Sequence, residues 1–296
     1  MRVKIIINPG AGQPEPVLSI LNDTLGAAKI DWDVAITHAE GDGYRETKRA
    51  VEEGFDVVGS YGGDGTVTEV ASALAGGDIP MAILPGGTGN GLADDLGIPA
   101  DLTSAAALLA SQNYDLRPVD MGRSGDRLFI LRATMGFEAS VVESATRELK
   151  DRFGWLAYAF AGLKTLTDPP KAHYKIEVDG KQYEAEGLAC IVANSASTGV
   201  MGLKLSDQVD VSDGLLDVII AETADLATLA GGMADAASGT EPRSFVRWQG
   251  KQVRVESEPS QCVLLDGEDA GETPVDVVMV PGTLKLVVPR GAVDAQ

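Results

Sequence analysis

The chain has 296 residues, 44% of them hydrophobic and 23% charged, which is enough for one large domain or two ordinary ones with a real core. A disulfide-stapled miniprotein, a disordered tail and a collagen-like repeat are excluded. A formal net charge of −20 opposes binding to nucleic acid or an anionic bilayer unless a local basic patch overrides it. The first third alternates short β-rich runs at 3–7, 34–37, 57–61 and 81–84 with helical windows at 15–29, 44–53 and 66–75. Strands that are apolar throughout, in a βαβα rhythm, predict an α/β N-terminal domain whose parallel sheet is covered on both faces and binds ligands beyond its carboxyl strand ends. A short helix near 91–96 follows, then one at 101–112 with Asp101 as its cap and Leu102, Ala105, Leu108 and Leu109 on one face.

The rhythm changes near Val119. Runs at 127–133, 174–178, 182–192, 215–221, 246–256, 262–265, 275–280 and 284–288 read as strands separated by turn residues, which predicts a C-terminal antiparallel β-sandwich. The boundary falls near Pro118, giving domains 1–118 and 119–296, with the last strands free to pack back on the first domain. A helical insertion at about 139–166 interrupts the strands and ends at Pro169-Pro170. It gathers Arg147, Lys150, Arg152 and Lys164 around Phe153, Trp155, Tyr158 and Phe160, and reads either as an amphipathic helix on the sandwich or as a surface for transient membrane contact.

Cys190 and Cys262 lie in strand-like runs and make no disulfide framework, which suits a reduced cytoplasmic interior. No run approaches the ~18 apolar residues of a spanning helix, and the apolar start at 3–7 is too short for a signal segment, so the expectation is a soluble, unprocessed chain. His38 and His173 read as surface or loop residues. No Cys/His cluster supports zinc and no GxSxG elbow supports a hydrolase.

Two glycine-rich loops carry the chemistry. Gly62-Gly63-Asp64-Gly65-Thr66 follows the third strand and precedes a helix expected from Val67, so its amides sit where helix N-termini bind anions. The loop lacks the GK[ST] ending of a P-loop, and the central Asp64 is suited to Mg²⁺ or its water shell rather than to phosphate. A tight connection is the plainer reading of such a turn taken alone. Pro85-Gly86-Gly87-Thr88-Gly89-Asn90 follows the next strand and should share the same sheet edge, so that two amide-rich cradles could accept a triphosphate. Thr88 and Asn90 offer polar groups to phosphate or ribose, or serve only as helix caps. Asp266-Gly267 and Asp179-Gly180 are both hairpin-turn signals.

On these residues the chain resembles the soluble diacylglycerol kinase and sphingosine kinase family of lipid kinases, nearly end to end. Asn8-Pro9-Gly10-Ala11-Gly12 is similar to the family's first loop, Thr37 falls at its nucleotide-side threonine, and the GGDGT and PxGTxN loops are present. The segment at 143–163 also resembles the family, and Asp266-Gly267-Glu268 matches its DGE motif. The resemblance implies an NAD-kinase- and diacylglycerol-kinase-like fold and phosphoryl transfer in phospholipid biosynthesis. ATP would be held by Asn8, Thr37, Gly62, Gly63, Asp64, Gly65, Thr66, Gly87, Thr88 and Asn90. Glu268 would be the catalytic base, with Asp64 on the metal side. Asp210-Val211-Ser212-Asp213-Gly214-Leu215 resembles an element that binds a structural Mg²⁺, with Asp213 as ligand and oxygens near Asp210 and Leu215. A turn into the next strand explains those residues equally. The implied partners are a lipid alcohol and the inner membrane surface, with an oligomer left open.

Several positions depart from the family. Gly91 stands where aspartate is common, and Asp94 where a basic residue is. In Leu131-Arg132-Ala133-Thr134-Met135-Gly136-Phe137-Glu138 arginine replaces the family's asparagine and glutamate its aspartate, and Asp207 lies where a proline usually precedes the metal element. These changes spare ATP handling and bear on the acceptor: diacylglycerol is the default, with a sphingoid base or another lipid alcohol open. GGDGT is shared with NAD kinases, so the rivals are an NAD kinase and a catalytically silent nucleotide- or lipid-binding protein.

Overall fold

Runs of Val and Ile at the start of the chain become a parallel sheet because each is buried on both faces. The structure is a computed structural model that describes residues 1–11, 15–87, 89–136, 171–200, 203–206, 208–222 and 245–291. The insertion expected at 139–166, Thr88, Gly12 and Asp207 lie outside the described residues. The chain divides into two compact units, the first Met1–Val119 with the residues from Gly282 onward, the second Asp120–Pro281.

In the first unit β1 (Arg2–Ile7), β2 (Asp31–Ile36), β3 (Val57–Gly62) and β4 (Met81–Pro85) pair in parallel in the order β2-β1-β3-β4. Beyond β4 the end of a last strand adds a fifth, with Leu286 beside Met81. Ile5, Ile6, Val58 and Leu84 are wholly buried, each contributing about 1.5–3 kcal/mol of transfer free energy. β2, at the edge, exposes Asp31 and Asp33 instead.

Helices α2 (Asp42–Glu52) and α3 (Asp64–Leu74) pack on each other, while α1 (Val17–Leu21), the π-helical turn Asn22–Gly26 and α5 (Leu102–Ser111) pack together. The helix expected over 15–29 is therefore broken. Thr24 Oγ1 donates 2.8 Å back to the Ile20 carbonyl, a bond that bends helices, and Lys29 at φ 56 ends the segment. Asp101 caps α5 as expected, accepting from the Ser104 amide at 2.8 Å. The short α4 (Gly91–Asp95) follows the second glycine loop.

The second unit is a sandwich of antiparallel sheets. One sheet runs β14 (Phe245–Gly250), β13 (Leu216–Ala221), β10 (Ala189–Ala193), β7 (Arg132–Met135), β16 (Cys262–Leu265), β17 (Glu268–Glu272). The other joins the first half of β18 (Val275–Pro289) to β15 (Gln252–Glu258), β8 (Ala172–Val178) and β9 (Lys181–Gly187). Met135, Val192 and Val218 from the first sheet share a single core with Tyr174, Val255 and Val277 from the other.

Four strand expectations are corrected here. The run at 182–192 is two strands, β9 and β10, and the run at 246–256 is β14 and β15, each pair split between opposite sheets. A glycine stands at each corner: a Cβ on Gly187 would come 2.9 Å from the Ala221 carbonyl, and one on Gly250 2.8 Å from Asp179 Oδ2. The run at 127–133 breaks into β6 (Arg127–Phe129) and β7 because a side chain takes the amides between them. The runs at 275–280 and 284–288 are the single strand β18, which pairs first with β15 and then with β4.

Candidate active site

The order β2-β1-β3-β4 reverses direction between β1 and β3, and ligands of doubly wound sheets lie beyond the carboxyl ends at such a point. Asn8 leaves β1 there and Gly62 ends β3. The Asn8 amide donates 2.9 Å to the Tyr61 carbonyl, and Asn8 Nδ2 donates 3.2 Å to Thr66 Oγ1. Thr37, buried at the end of β2, donates its amide 2.9 Å to the Ile7 carbonyl. Asn8, Thr37 and Thr66 thus share one edge.

Helix α3 begins at Asp64, three residues earlier than the expected Val67, with Gly63 as its N-cap. Asp64, Gly65 and Thr66 form its first turn, where helix amides lack internal partners and negative charge is favoured. The Gly86 and Gly87 amides both donate to the Gly62 carbonyl, at 3.0 and 3.1 Å. A Cβ on Gly87 would lie 2.5 Å from Gly63 Cα, so the two loops touch backbone to backbone. Asp64 Oδ1 accepts from the Gly91 amide at 2.9 Å and ties the first loop to the helix after the second. Asn90, at φ 47, closes its own loop by accepting from the Gly87 amide at 3.0 Å and donating to the Gly87 carbonyl at 2.6 Å.

Supporting residues escaped the sequence reading. Tyr61 donates its hydroxyl to Glu15 at 2.6 Å, and burial pushes that phenol well above its ordinary range. Asp42 Oδ2 accepts from the His38 and Ala39 amides, and those bonds, led by His38's, hold its carboxyl below the usual range. Glu69 accepts from the Gly41 and Gly43 amides, fixing the same loop from α3.

In the second unit Asp266 and Gly267, at φ 48 and 91, form a two-residue turn between paired Leu265 and Glu268. The hairpin reading therefore holds as structure, and Glu268 opens β17 beyond it. The Asp266 carboxylate accepts from the Ile130, Leu131 and Arg132 amides at 2.8 to 2.9 Å. Arg127 Nη2 donates to Glu268 Oε2 at 3.0 Å while its Nη1 donates to the Asp269 carbonyl at 2.5 Å. Arg132, the departure from the family segment, is buried and donates to the Ser197 carbonyl.

The Asp210–Leu215 element folds on itself: Asp210 Oδ1 accepts from the Ser212 amide at 3.0 Å and Asp213 Oδ1 from the Leu215 amide at 2.8 Å. Buried Asp120 joins it by accepting from the Gly214 amide at 2.7 Å. Burial, then the charges of Asp210 and Asp120, pushes the Asp213 carboxyl up, an excess of negative charge that a hard cation would relieve. Among the described residues no three acidic, His or Cys side chains converge as a metal group, so such a cation would draw on carbonyl oxygens such as those at Asp210 and Leu215. Fully buried Asn194 donates to the Asp120 and Ile130 carbonyls, linking this element to the segment Asp266 holds.

Residues 2–124 match the diacylglycerol kinase catalytic domain, and residues 132–288 the YegS C-terminal NAD kinase beta sandwich-like domain. A Pseudomonas aeruginosa protein named "Probable lipid kinase YegS-like" is 35% identical over 88% of this chain and 85% of its own. The protein named "Diacylglycerol kinase" from Bacillus subtilis is 29% identical over 98% of this chain and 97% of its own. A crystal structure of a diacylglycerol kinase from Bacillus anthracis matches with a TM-score of 0.81 at 26% identity, covering 98% of this chain and 97% of that one. No helix among the described residues is long and apolar enough to cross a membrane. With two glycine loops beyond the carboxyl ends of β3 and β4, a DGE hairpin on the sandwich and these relatives along nearly its whole length, the chain belongs to the diacylglycerol kinase and YegS family and is a lipid kinase.

Proposed function

We propose that this kinase transfers the terminal phosphoryl group of ATP to a lipid hydroxyl with Mg²⁺, and that diacylglycerol is the default acceptor. The observation that carries the reading is the pair of glycine loops joined backbone to backbone, with Asp64 bridging them at the first turn of α3. Phosphoryl transfer asks for positioning and charge neutralisation, which the first-turn amides of α3 would supply, while the Gly86, Gly87 and Gly91 amides hold the two loops together. Asn8, Thr37, Thr66, Gly87 and Asn90 form the nucleotide side in this reading.

Mg²⁺, when bound, would neutralise charge building on the phosphate oxygens, and Asp64 would hold it or its water. The acceptor hydroxyl oxygen forms a bond to the terminal phosphorus as the bond to the leaving ADP oxygen breaks. The proton goes to the Glu268 carboxylate, which must lie within ~3 Å of that hydroxyl in the reacting complex. Asp213, with oxygens at Asp210 and Leu215, would hold a structural Mg²⁺.

The test is incubation of the purified protein with Mg²⁺, labelled ATP and a total lipid extract in detergent micelles, beside an arm with NAD as acceptor. Label in a lipid, named by mass spectrometry as diacylglycerol phosphate, a sphingoid phosphate or another, is the expected result. Glu268→Gln is expected to lower kcat by ~10²-fold or more, the usual size of a general-base contribution. Label in NAD alone, or none in either arm, overturns the reading.

A further inference from the structure

Beyond the motif residues, the second unit grips the DGE hairpin at both ends from one short segment. At the turn, the Asp266 carboxylate takes three successive amides at Ile130, Leu131 and Arg132, and the Asp266 amide donates 2.9 Å to the Arg132 carbonyl. Three residues before that grip, on the same segment, Arg127 reaches past the turn. Its planar fork spans the Glu268 carboxylate and the Asp269 carbonyl. One nitrogen thus binds the backbone of β17 and the other binds a side chain on that strand, which fixes the direction in which Glu268 leaves it.

An ion pair exposed on both sides contributes little to stability, and here the side chains of Arg127 and Glu268 are 44% and 49% exposed. The geometry serves orientation better than folding. A glutamate has three side-chain torsions to settle, and a carboxylate misplaced by about 1 Å can lose a factor of 10² in rate. We propose that Arg127 is a positioning residue, whose fork on the Asp269 carbonyl and Glu268 Oε2 holds the catalytic base in its working rotamer. This rests on the assignment of Glu268 as the base.

The test compares wild type, Arg127→Met, Arg127→Gln, Glu268→Gln and the double variant Arg127→Met with Glu268→Gln, using total lipid extract in detergent micelles, Mg²⁺ and labelled ATP. Thermal melting should leave the Arg127 variants close to wild type. Their kcat should fall by roughly 10- to 100-fold while the KM for ATP changes by less than about twofold, because both groups the fork holds belong to the strand that carries Glu268. In the Glu268→Gln background, adding Arg127→Met should cost less than about twofold more, since the rotamer it fixes no longer carries a base. Wild-type kcat in both Arg127 variants, a change confined to the KM for ATP, or a full additional loss in the double variant each overturns the inference while leaving Glu268 as the base. Full activity in Glu268→Gln overturns the base assignment and the positioning role together.

Discussion

Gly87 shows how little room a single site residue has. Any side chain there meets the Gly63 backbone, which cannot swing aside as a side-chain tip could. Gly87→Ala must push the two loops apart and displace the amides they aim. It is expected to raise the KM for ATP by about tenfold or more, with a stability loss of about 1–3 kcal/mol as for other overpacked sites. Steady-state kinetics beside urea unfolding measures both effects. Asp64, one strand away, spans the same gap with its carboxylate, so a change in the geometry of the pair reaches that residue as well.

Among elements, the Asp266 hairpin depends on a segment more than 130 positions upstream. Asp266→Ala strands three amides at once, each costing about 1 kcal/mol or more when left without a partner in a partly buried place. The expected outcome is a loss of roughly 2–4 kcal/mol in urea unfolding together with a fall in kcat, because the turn that carries Glu268 loses its anchor. The sequence announced this turn through Asp-Gly but not what the aspartate holds. Local signals carry local geometry: β-branched runs closed by glycine or proline revealed β1 to β4, and Asp101 revealed the start of α5. They say nothing of partners distant in sequence, so Arg127, Tyr61 with Glu15, and Glu69 stayed hidden. The strand pairs at Gly187 and Gly250 were hidden for a related reason: alternation of side chains runs on through a corner where the chain changes sheet. Pro281-Gly282 misled in the opposite sense, looking like a turn inside what is one strand. The two glycine loops were legible as glycine patterns, whereas the base proposed at Glu268 rests on family likeness alone.

For the whole molecule, charge sets how stability varies with pH. Asp33, held down by Lys4, Asp78, held down by Lys285, and Asp42 and Asp101, held down by backbone amides, all have native pKa values below the usual 3.8. Their contribution is present in full above the unfolded value and is lost as pH falls through the native one. Asp217 runs the other way: burial pushes it up to about 6, so the native state gains protons first and stability rises as pH falls from 6 towards 4. The net charge of −20 also relaxes over that range. Thermal melting in EDTA should therefore give a Tm that climbs from pH 7.5 to about 5 and drops between 4 and 3. A monotonic fall from 7.5 downward would show that the low-pKa carboxylates outweigh the buried one throughout.

β18 bears on the order of events during synthesis. The first unit takes its fifth strand from residues after Gly282, so about 160 residues of the second unit emerge before that strand exists. At ~5–20 residues per second, the edge of β4 waits roughly ten to forty seconds on the ribosome for Leu286 to arrive. During that interval an uncovered row of amides and carbonyls on a nascent sheet is open to pairing with a neighbouring chain, which makes the end of β18 a guard against aggregation as much as a piece of architecture.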